Sequence, residues 1–415
     1  MTNPIDVTWA RSQFPALRRE QNGAPVIFLD GPAGSQVPER VANAVHDYLI
    51  GSNANRGGDF STSRETDRLI GEARSAMADF LGTDDPGSVA FGPNMTTLTF
   101  ALSRALSRQW REGDEILISR LEHDANITTW VLAARDAGAT VRYIDFDPSD
   151  CTLMLEDLEQ KLSQRTRLVA IGAASNAVGT IHPVKRIVEM AHAAGAKVFV
   201  DAVHYAPHAL IDVSEWGCDY LVCSAYKFFG PHVGVLWGRR ESMTDPPAYK
   251  LRPAHDSTPD RWETGTQNHE ALAGLVATID YLVELGGRVD PAATARRQAL
   301  VAAMSAIQTY ERQLAARLLE GLAAIPDLEV LGIQETSRLD ARVPTVSVTH
   351  ARHSPAELSA HLAESGIFVW AGHHYALMLA ETLGLMPEGM LRIGPLHYNT
   401  PAELDRLFEA LVRID

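Results

Sequence analysis

Cysteine is scarce in this chain, with Cys151, Cys218 and Cys223 the only three among 415 residues. Their odd number and the lack of any CxxC pair speak against a disulfide scaffold and a structural zinc site, and no metal is expected. Lysine is nearly as rare: Lys161, Lys185, Lys197, Lys227 and Lys250 are all there are. Chemistry that needs an amine nucleophile therefore has few candidates. No Lys/Arg-rich run occurs, and 37 Lys+Arg against 52 Asp+Glu give a formal charge of -15. A nucleic-acid partner, which needs a concentrated basic surface, is not expected. No apolar run approaches the ~20 residues of a membrane span, so no membrane association is expected. The first residues lack a basic segment followed by an apolar run, so no signal peptide is expected either. A soluble, cytoplasmic protein of a reducing compartment fits these absences.

What is present is an ordinary globular composition, 46% hydrophobic with 30 Gly and 22 Pro. The length suggests a large unit and a smaller one. The pattern divides them as 26–289 and 290–415, with an N-terminal segment, 1–25, packing on the small unit. A short strand at 26–29 precedes helices at 38–50 and 64–80. From residue 88, strands at 89–91, 115–119, 140–144, 168–172, 197–200 and 220–223 alternate with helices. That alternation predicts an α/β fold with a mostly parallel sheet covered on both faces. A short apolar run at 233–237, set off by glycines, is expected near the sheet edge. A helix over 270–284 is expected to break at Gly286-Gly287, and 292–324 reads as a long helix. Strands at 345–349, 367–370 and 391–393 and helices at 355–365 and 401–413 complete the chain. Thr400, Pro401 and Glu403 form the start signal of the last helix. The polar loop 51–63, with Arg56 inside it and Arg64 just beyond, reads either as a linker or as a loop closing over a ligand.

The chemically informative residues fall at the carboxyl ends of these strands, where open α/β sheets bind ligands. Lys227 follows an apolar strand and precedes Phe228-Phe229-Gly230-Pro231. It is either a structural lysine or one whose charge is removed by a Schiff base with an aldehyde cofactor. Asp201 ends the strand at 197–200. It either pairs with a pyridinium nitrogen or caps the following turn. His123 offers a flat ring for stacking, or is an ordinary loop histidine. Thr96 and Thr97 open a helix after Gly92-Pro93-Asn94 and make either a phosphate seat or a plain N-cap.

The ordered series Asn94-Met95-Thr96-Thr97, Glu122-His123-Asp124-Ala125-Asn126, Ser175-Asn176-Ala177-Val178-Gly179-Thr180, Asp201-Ala202-Val203-His204, Ser224-Ala225-Tyr226-Lys227 and Gly265-Thr266-Gln267-Asn268 resembles the fold-type I pyridoxal-phosphate (PLP) enzymes. Within them the chain is most similar to the cysteine desulfurase-like proteins of the class V aminotransferase group, over nearly its whole length. The resemblance implies a seven-stranded large-domain sheet with a smaller α+β domain, and pyridoxal 5'-phosphate as cofactor. It also implies a homodimer with shared active sites. Lys227 matches the lysine that carries the cofactor, Asp201 the partner of the pyridine nitrogen, and His123 the stacking ring. Asn176 and His204 match groups near the cofactor oxygen. Thr96, Thr97 and Ser224 match the phosphate-binding set, and Thr266 a phosphate contact from the partner subunit. Arg392 matches the clamp of a substrate α-carboxylate. Arg56, His374 and Tyr375 are further candidates for substrate contact.

One departure bears on the reaction. Desulfurases carry a persulfide cysteine after a Gly-His-His-type run, and here Gly372-His373-His374 is followed by Tyr375. Tyrosine cannot carry sulfur as a persulfide. The expected activity is therefore β-elimination on an L-α-amino acid, of the C–S lyase type, without a protein persulfide. Epimerisation or racemisation, and transamination, are the alternative exits.

Overall fold

The computed structural model describes residues 4–414, so residues 1–3 of the N-terminal segment and residue 415 lie outside it. Seven strands form the large sheet. Their order is Val89–Gly92, Gly234–Gly238, Tyr220–Ser224, Lys197–Asp201, Thr166–Gly172, Glu115–Ser119 and Thr140–Ile144. Six run one way, and Gly234–Gly238 runs antiparallel to both its neighbours. This is the α/β sheet expected from the alternating pattern. The strands Glu115–Ser119 and Tyr220–Ser224 are buried along their whole length, as a sheet covered on both faces requires. The short run set off by glycines lies one strand in from the edge, which Val89–Gly92 occupies.

A second sheet of four antiparallel strands orders Leu328–Leu331, Val346–His350, Met390–Ile393 and Trp370–Gly372. The strand expected over 367–370 is in fact two. Ile367–Phe368 pairs in parallel with Ile27–Phe28, while Trp370–Gly372 pairs with Met390–Ile393. Ile27–Phe28 thus joins the C-terminal half of the chain, although it opens the segment expected to be the large unit. The N-terminal segment reaches the same region: Arg11 donates to the Tyr398 carbonyl and pairs with Glu403 at 2.9 Å. The helix Val7–Ser12 also lays Trp9 on Tyr281, 5.8 Å between ring centres.

The helix expected to break at Gly286-Gly287 runs unbroken from His269 to Val289. Gly286 is there for packing, because a Cβ on it would overlap the backbone of Ala299 at the start of the next helix, Arg296–Ala323. The helical penalty of glycine, about 1 kcal/mol, is offset by that close approach. The last helix, Pro401–Val412, begins with the capping box expected of Thr400 and Glu403. Among the described residues no helix is long and apolar enough to cross a membrane, and no group of three or more His, Cys, Asp or Glu is arranged to hold a metal ion.

Candidate active site

The carboxyl ends of the large-sheet strands face the second sheet across a cavity of about 500 Å³. His123 stands beyond the strand Glu115–Ser119, Asn176 beyond Thr166–Gly172, and Lys227 beyond Tyr220–Ser224. Asp201 ends its own strand, and Arg392 comes from Met390–Ile393 opposite. Of the residues singled out in the sequence, Thr96, His123, Asn176, Asp201, His204, Ser224, Lys227, His374, Tyr375 and Arg392 line the cavity together.

Thr97, Thr266 and Arg56 do not. Thr97 is exposed, and its backbone N–H and hydroxyl both donate to Asn94 Oδ1, so it closes the helix cap. Thr266 is exposed on the segment before the helix His269–Val289. Arg56 pairs with Asp260 at 3.0 Å, tying its loop to that same segment.

Burial drives Lys227, Asp201, Glu122 and His123 in this lining toward their neutral forms. Lys227 falls to about 7; the nearby Arg392 charge pushes the same way, while Asp201 and Asp30 oppose it. Asp201 rises to about 6, against the hydrogen bond from the Val203 N–H. Glu122 rises to about 8, and His123 falls to about 4. At neutral pH Lys227 is therefore available as a free amine to a far greater degree than a surface lysine. Its Nζ donates to the Pro32 carbonyl and lies 5.0 Å from the centre of the Tyr226 ring.

The helix Met95–Ser107 directs its N-terminus into the cavity through Asn94, Met95 and Thr96. The Met95 N–H donates to Ser224 Oγ at 3.1 Å. Gly234 lets the helix start come this close, since a Cβ there would overlap the Asn94 backbone. Amides, hydroxyls and the helix dipole meet there as an anion seat.

Opposite, Arg392 donates to the Asn176 carbonyl at 2.8 Å, and its Nε has no partner among the described residues. Burial lowers the guanidinium to about 9, which leaves it cationic at neutral pH. Asn176 donates to the His374 carbonyl at 2.9 Å, while its Oδ1 is buried with no partner among the described residues. Such orphaned buried groups are costly unless a ligand satisfies them. An amine-ready lysine, a carboxylate at a strand end and an anion seat fit a phosphorylated aldehyde cofactor. Arg392 fits a carboxylate.

His204 is buried, contacts Thr345 Oγ1 at 3.0 Å, and is held well below its usual range by burial. None of the three cysteines lines the cavity. All are free and buried, and burial raises Cys151 and Cys218 to about 12 and Cys223 higher still. Sequence reasoning had named no cysteine as a site residue.

It missed Trp370, Tyr226, Glu122 and Asp30. Trp370 lies directly opposite Arg392 in the antiparallel pair and so shares its face of the sheet. Tyr226 and Glu122 immediately precede Lys227 and His123, and adjacency was the available signal. Asp30 is bridged to Gly394 and is raised to about 6 by burial.

Residues 27–407 match the family described as aminotransferase class-V. A cysteine desulfurase of Enterobacter sp. is 33% identical over 100% of this chain and 99% of its own length. A probable cysteine desulfurase of Mycolicibacterium paratuberculosis is 32% identical over 99% of this chain, which spans 58% of that protein's length. Among solved structures, a cysteine desulfurase of Thermococcus onnurineus superposes with a TM-score of 0.86 at 26% identity, covering 98% of this chain and 97% of that one. The cysteine desulfurase CsdA of Escherichia coli gives 0.83, also at 26% identity, with 98% of each chain covered. With this fold and cavity, the chain belongs to the class-V aminotransferase family and is a PLP-dependent, cysteine desulfurase-like enzyme.

Proposed function

We propose that this enzyme removes a β-substituent from an L-α-amino acid by elimination and does not carry sulfur on a protein thiol. The observation that supports this most is the separation of every cysteine from the cavity, with all three thiols buried and held protonated. A sulfur carrier needs an accessible thiolate. Tyr375, at the position where the resemblance expects that carrier, lines the cavity instead.

When bound, PLP supplies an electron sink for the pair released at Cα. The chain's own groups divide the remaining work. Lys227 Nζ would hold the cofactor's aldehyde carbon and afterwards take the Cα proton, a task suited to an amine titrating at about 7. Asp201 would hold a proton on the pyridine nitrogen. The carboxylate is kept in a dry site, so its charge acts at full strength once a cation faces it. His123 would stack on the ring, and Asn176 and His204 would meet its oxygen. Thr96 and Ser224 would seat the phosphate at the helix N-terminus. Thr97 would support that seat through the Asn94 cap. Arg392 would fix the substrate carboxylate and with it the direction of the Cα–H bond.

Thr266 and Arg56, which stand outside the cavity of a single chain, would reach the site of a second copy in a homodimer. The large unit would span 26–289 and the small unit 290–415, with Arg392 and Tyr375 contributed by the small one.

The test is a screen of L-amino acids on the cofactor-loaded protein, following 2-oxo acid, ammonia, released thiol and optical rotation together. Pyruvate with ammonia and the leaving group, at equal yield, is the expected result. A 2-oxo acid that keeps its β-substituent would assign transamination, and loss of rotation alone would assign epimerisation. Mass spectrometry of the intact protein after L-cysteine should find no adduct of about 32 Da, one persulfide sulfur. Such an adduct turning over with substrate would restore a persulfide mechanism.

A further inference from the structure

The mouth of the cavity is built of rings. Trp370 and Tyr375 both line it, yet they are 54% and 64% exposed, an unusual cost for two large aromatics. Tyr375 stacks on His123 with 5.2 Å between ring centres and 19° between planes. It meets His373 edge-on at 5.9 Å.

The turn that presents Tyr375 is held in place. His374 and Tyr375 both adopt left-handed backbone, φ 51° and 58°, which non-glycine residues avoid. Three hydrogen bonds maintain it. The Asp124 N–H donates to the Tyr375 carbonyl at 2.7 Å, Asn176 donates to the His374 carbonyl at 2.9 Å, and the His374 ring contacts the Met390 carbonyl at 3.1 Å. Strain kept in place beside an exposed ring is the pattern of a functional constraint.

Charge divides the cavity as sharply. Its acidic side chains, Glu122 and Asp201, and its lysine and arginine, Lys227 and Arg392, all belong to the inner part. Among the described residues of a single chain the mouth carries none, and the second copy proposed above would bring its Arg56 toward it. His373 there accepts the Tyr375 N–H on Nδ1 at 3.1 Å. A substrate whose carboxylate meets Arg392 and whose amine lies near Lys227 leaves its side chain to run outward, past Trp370 on the Arg392 face and past Tyr375.

We infer that the substrate is an α-amino acid whose β-substituent ends in an aromatic ring, stacked against Tyr375 or Trp370, and that free cysteine is too small to use this wall. This rests on the elimination reading above for the reaction but not for the binding. For an aryl or benzyl thioether of cysteine, the Cα–H pair becomes the second Cα–Cβ bond as the Cβ–S pair leaves on sulfur, which takes a proton. One water then displaces the amine, so the thioether and water give thiol, pyruvate and ammonia with no oxidant or reductant.

The experiment measures affinity by calorimetry on the cofactor-loaded protein for L-alanine, L-cysteine, L-phenylalanine and S-benzyl-L-cysteine. It is repeated for Trp370→Ala and Tyr375→Ala, and release of benzyl thiol and pyruvate is followed separately. The two ring-bearing ligands should bind at least ~10-fold more tightly than L-alanine, as stacking on one or two rings allows. Each variant should cut that preference, read as the ratio of ring-bearing to L-alanine affinity, ~3-fold or more. Equal affinity across the four ligands would overturn the inference, as would a ring preference that survives both variants. Trp370 is an exposed strand residue, so its variant keeps the test intact even if Tyr375→Ala disturbs the strained turn. Ring preference without thiol release would leave the inference standing and remove the elimination reading. Thiol release from L-cysteine without ring preference would do the reverse.

Discussion

The inner part of the cavity and its mouth are made by opposite means. Inside, Asp201, Lys227, His123 and Glu122 sit on or beside strands of the large sheet, and burial drives each toward neutrality. At the mouth, Trp370 and Tyr375 are exposed, and a strained turn with left-handed residues presents Tyr375. Regular strands hold reacting groups in place because their hydrogen bonding over-determines them. The turn at the mouth depends on three hydrogen bonds to its neighbours instead. On the function proposed above, the sheet would carry the common chemistry and the rim the choice of substrate and exit.

The sharpest way to break that contrast is Lys227→Ala, which should lower amino-acid turnover ~10³-fold or more, the scale of a lost general base. Circular dichroism should show the fold retained. A variant keeping even a tenth of the activity would move the chemistry elsewhere.

The next effect is a titration. In the cofactor-free protein, the neutral amine of Lys227 is the reactive form, and burial lowers its pKa to about 7. Acylation of Lys227 by a small reagent, followed by peptide mass spectrometry, should rise with pH up to about 7 and then level. A solvent lysine at about 10.4 has only about one amine in 10³ neutral at pH 7, and its rate climbs throughout. A Lys227 profile still rising at pH 9 would show that its surroundings do not desolvate it.

Asp201→Ala should reduce turnover roughly 10²-fold, about 2.7 kcal/mol of activation free energy. Arg392→Lys exchanges a planar fork for a point charge and should raise KM about 10-fold, with a smaller effect on kcat. Decarboxylated amine analogues should not respond to it, and an equal response would sever Arg392 from the carboxylate. Tyr375→Phe keeps the ring and removes the hydroxyl, so turnover should change less than ~2-fold. A larger loss would make the hydroxyl an acid to the leaving group and turn the rim into part of the chemistry.

The inner part was more legible in the sequence than the rim. Asp201 and Lys227 end or follow apolar strands, and the carboxyl ends of parallel strands converge by topology, so their meeting could be read one residue at a time. Trp370 could not. A tryptophan in a strand reads as core, and its place beside Arg392 is set by a cross-strand register that no local pattern encodes. The four-residue strand Leu328–Leu331 was passed over for the same reason: its alternation is short, and its pairing with Val346–His350 fixes it. Gly286-Gly287 looked like a break because local propensity says so, whereas the close approach of Ala299 overrides it. Thr97 was read as part of a phosphate seat, but its hydroxyl is used within its own helix cap. Arg56 and Thr266 lie outside what one chain encloses.

The parallel pairing of Ile27–Phe28 with Ile367–Phe368 has a temporal side. Its partners lie 340 residues apart, from Ile27 to Ile367, and Asp30 is bridged to Gly394 nearby. At ~5–20 residues per second of synthesis, the first strand waits on the order of tens of seconds for its partner. In that interval the strands ending at Asp201 and Ser224 have already emerged with Lys227, while the strand bearing Arg392 has not been made. On the ribosome, the groups suited to a cofactor precede the group suited to a carboxylate, and the N-terminal strand remains an open edge until the last eighth of the chain arrives to close it.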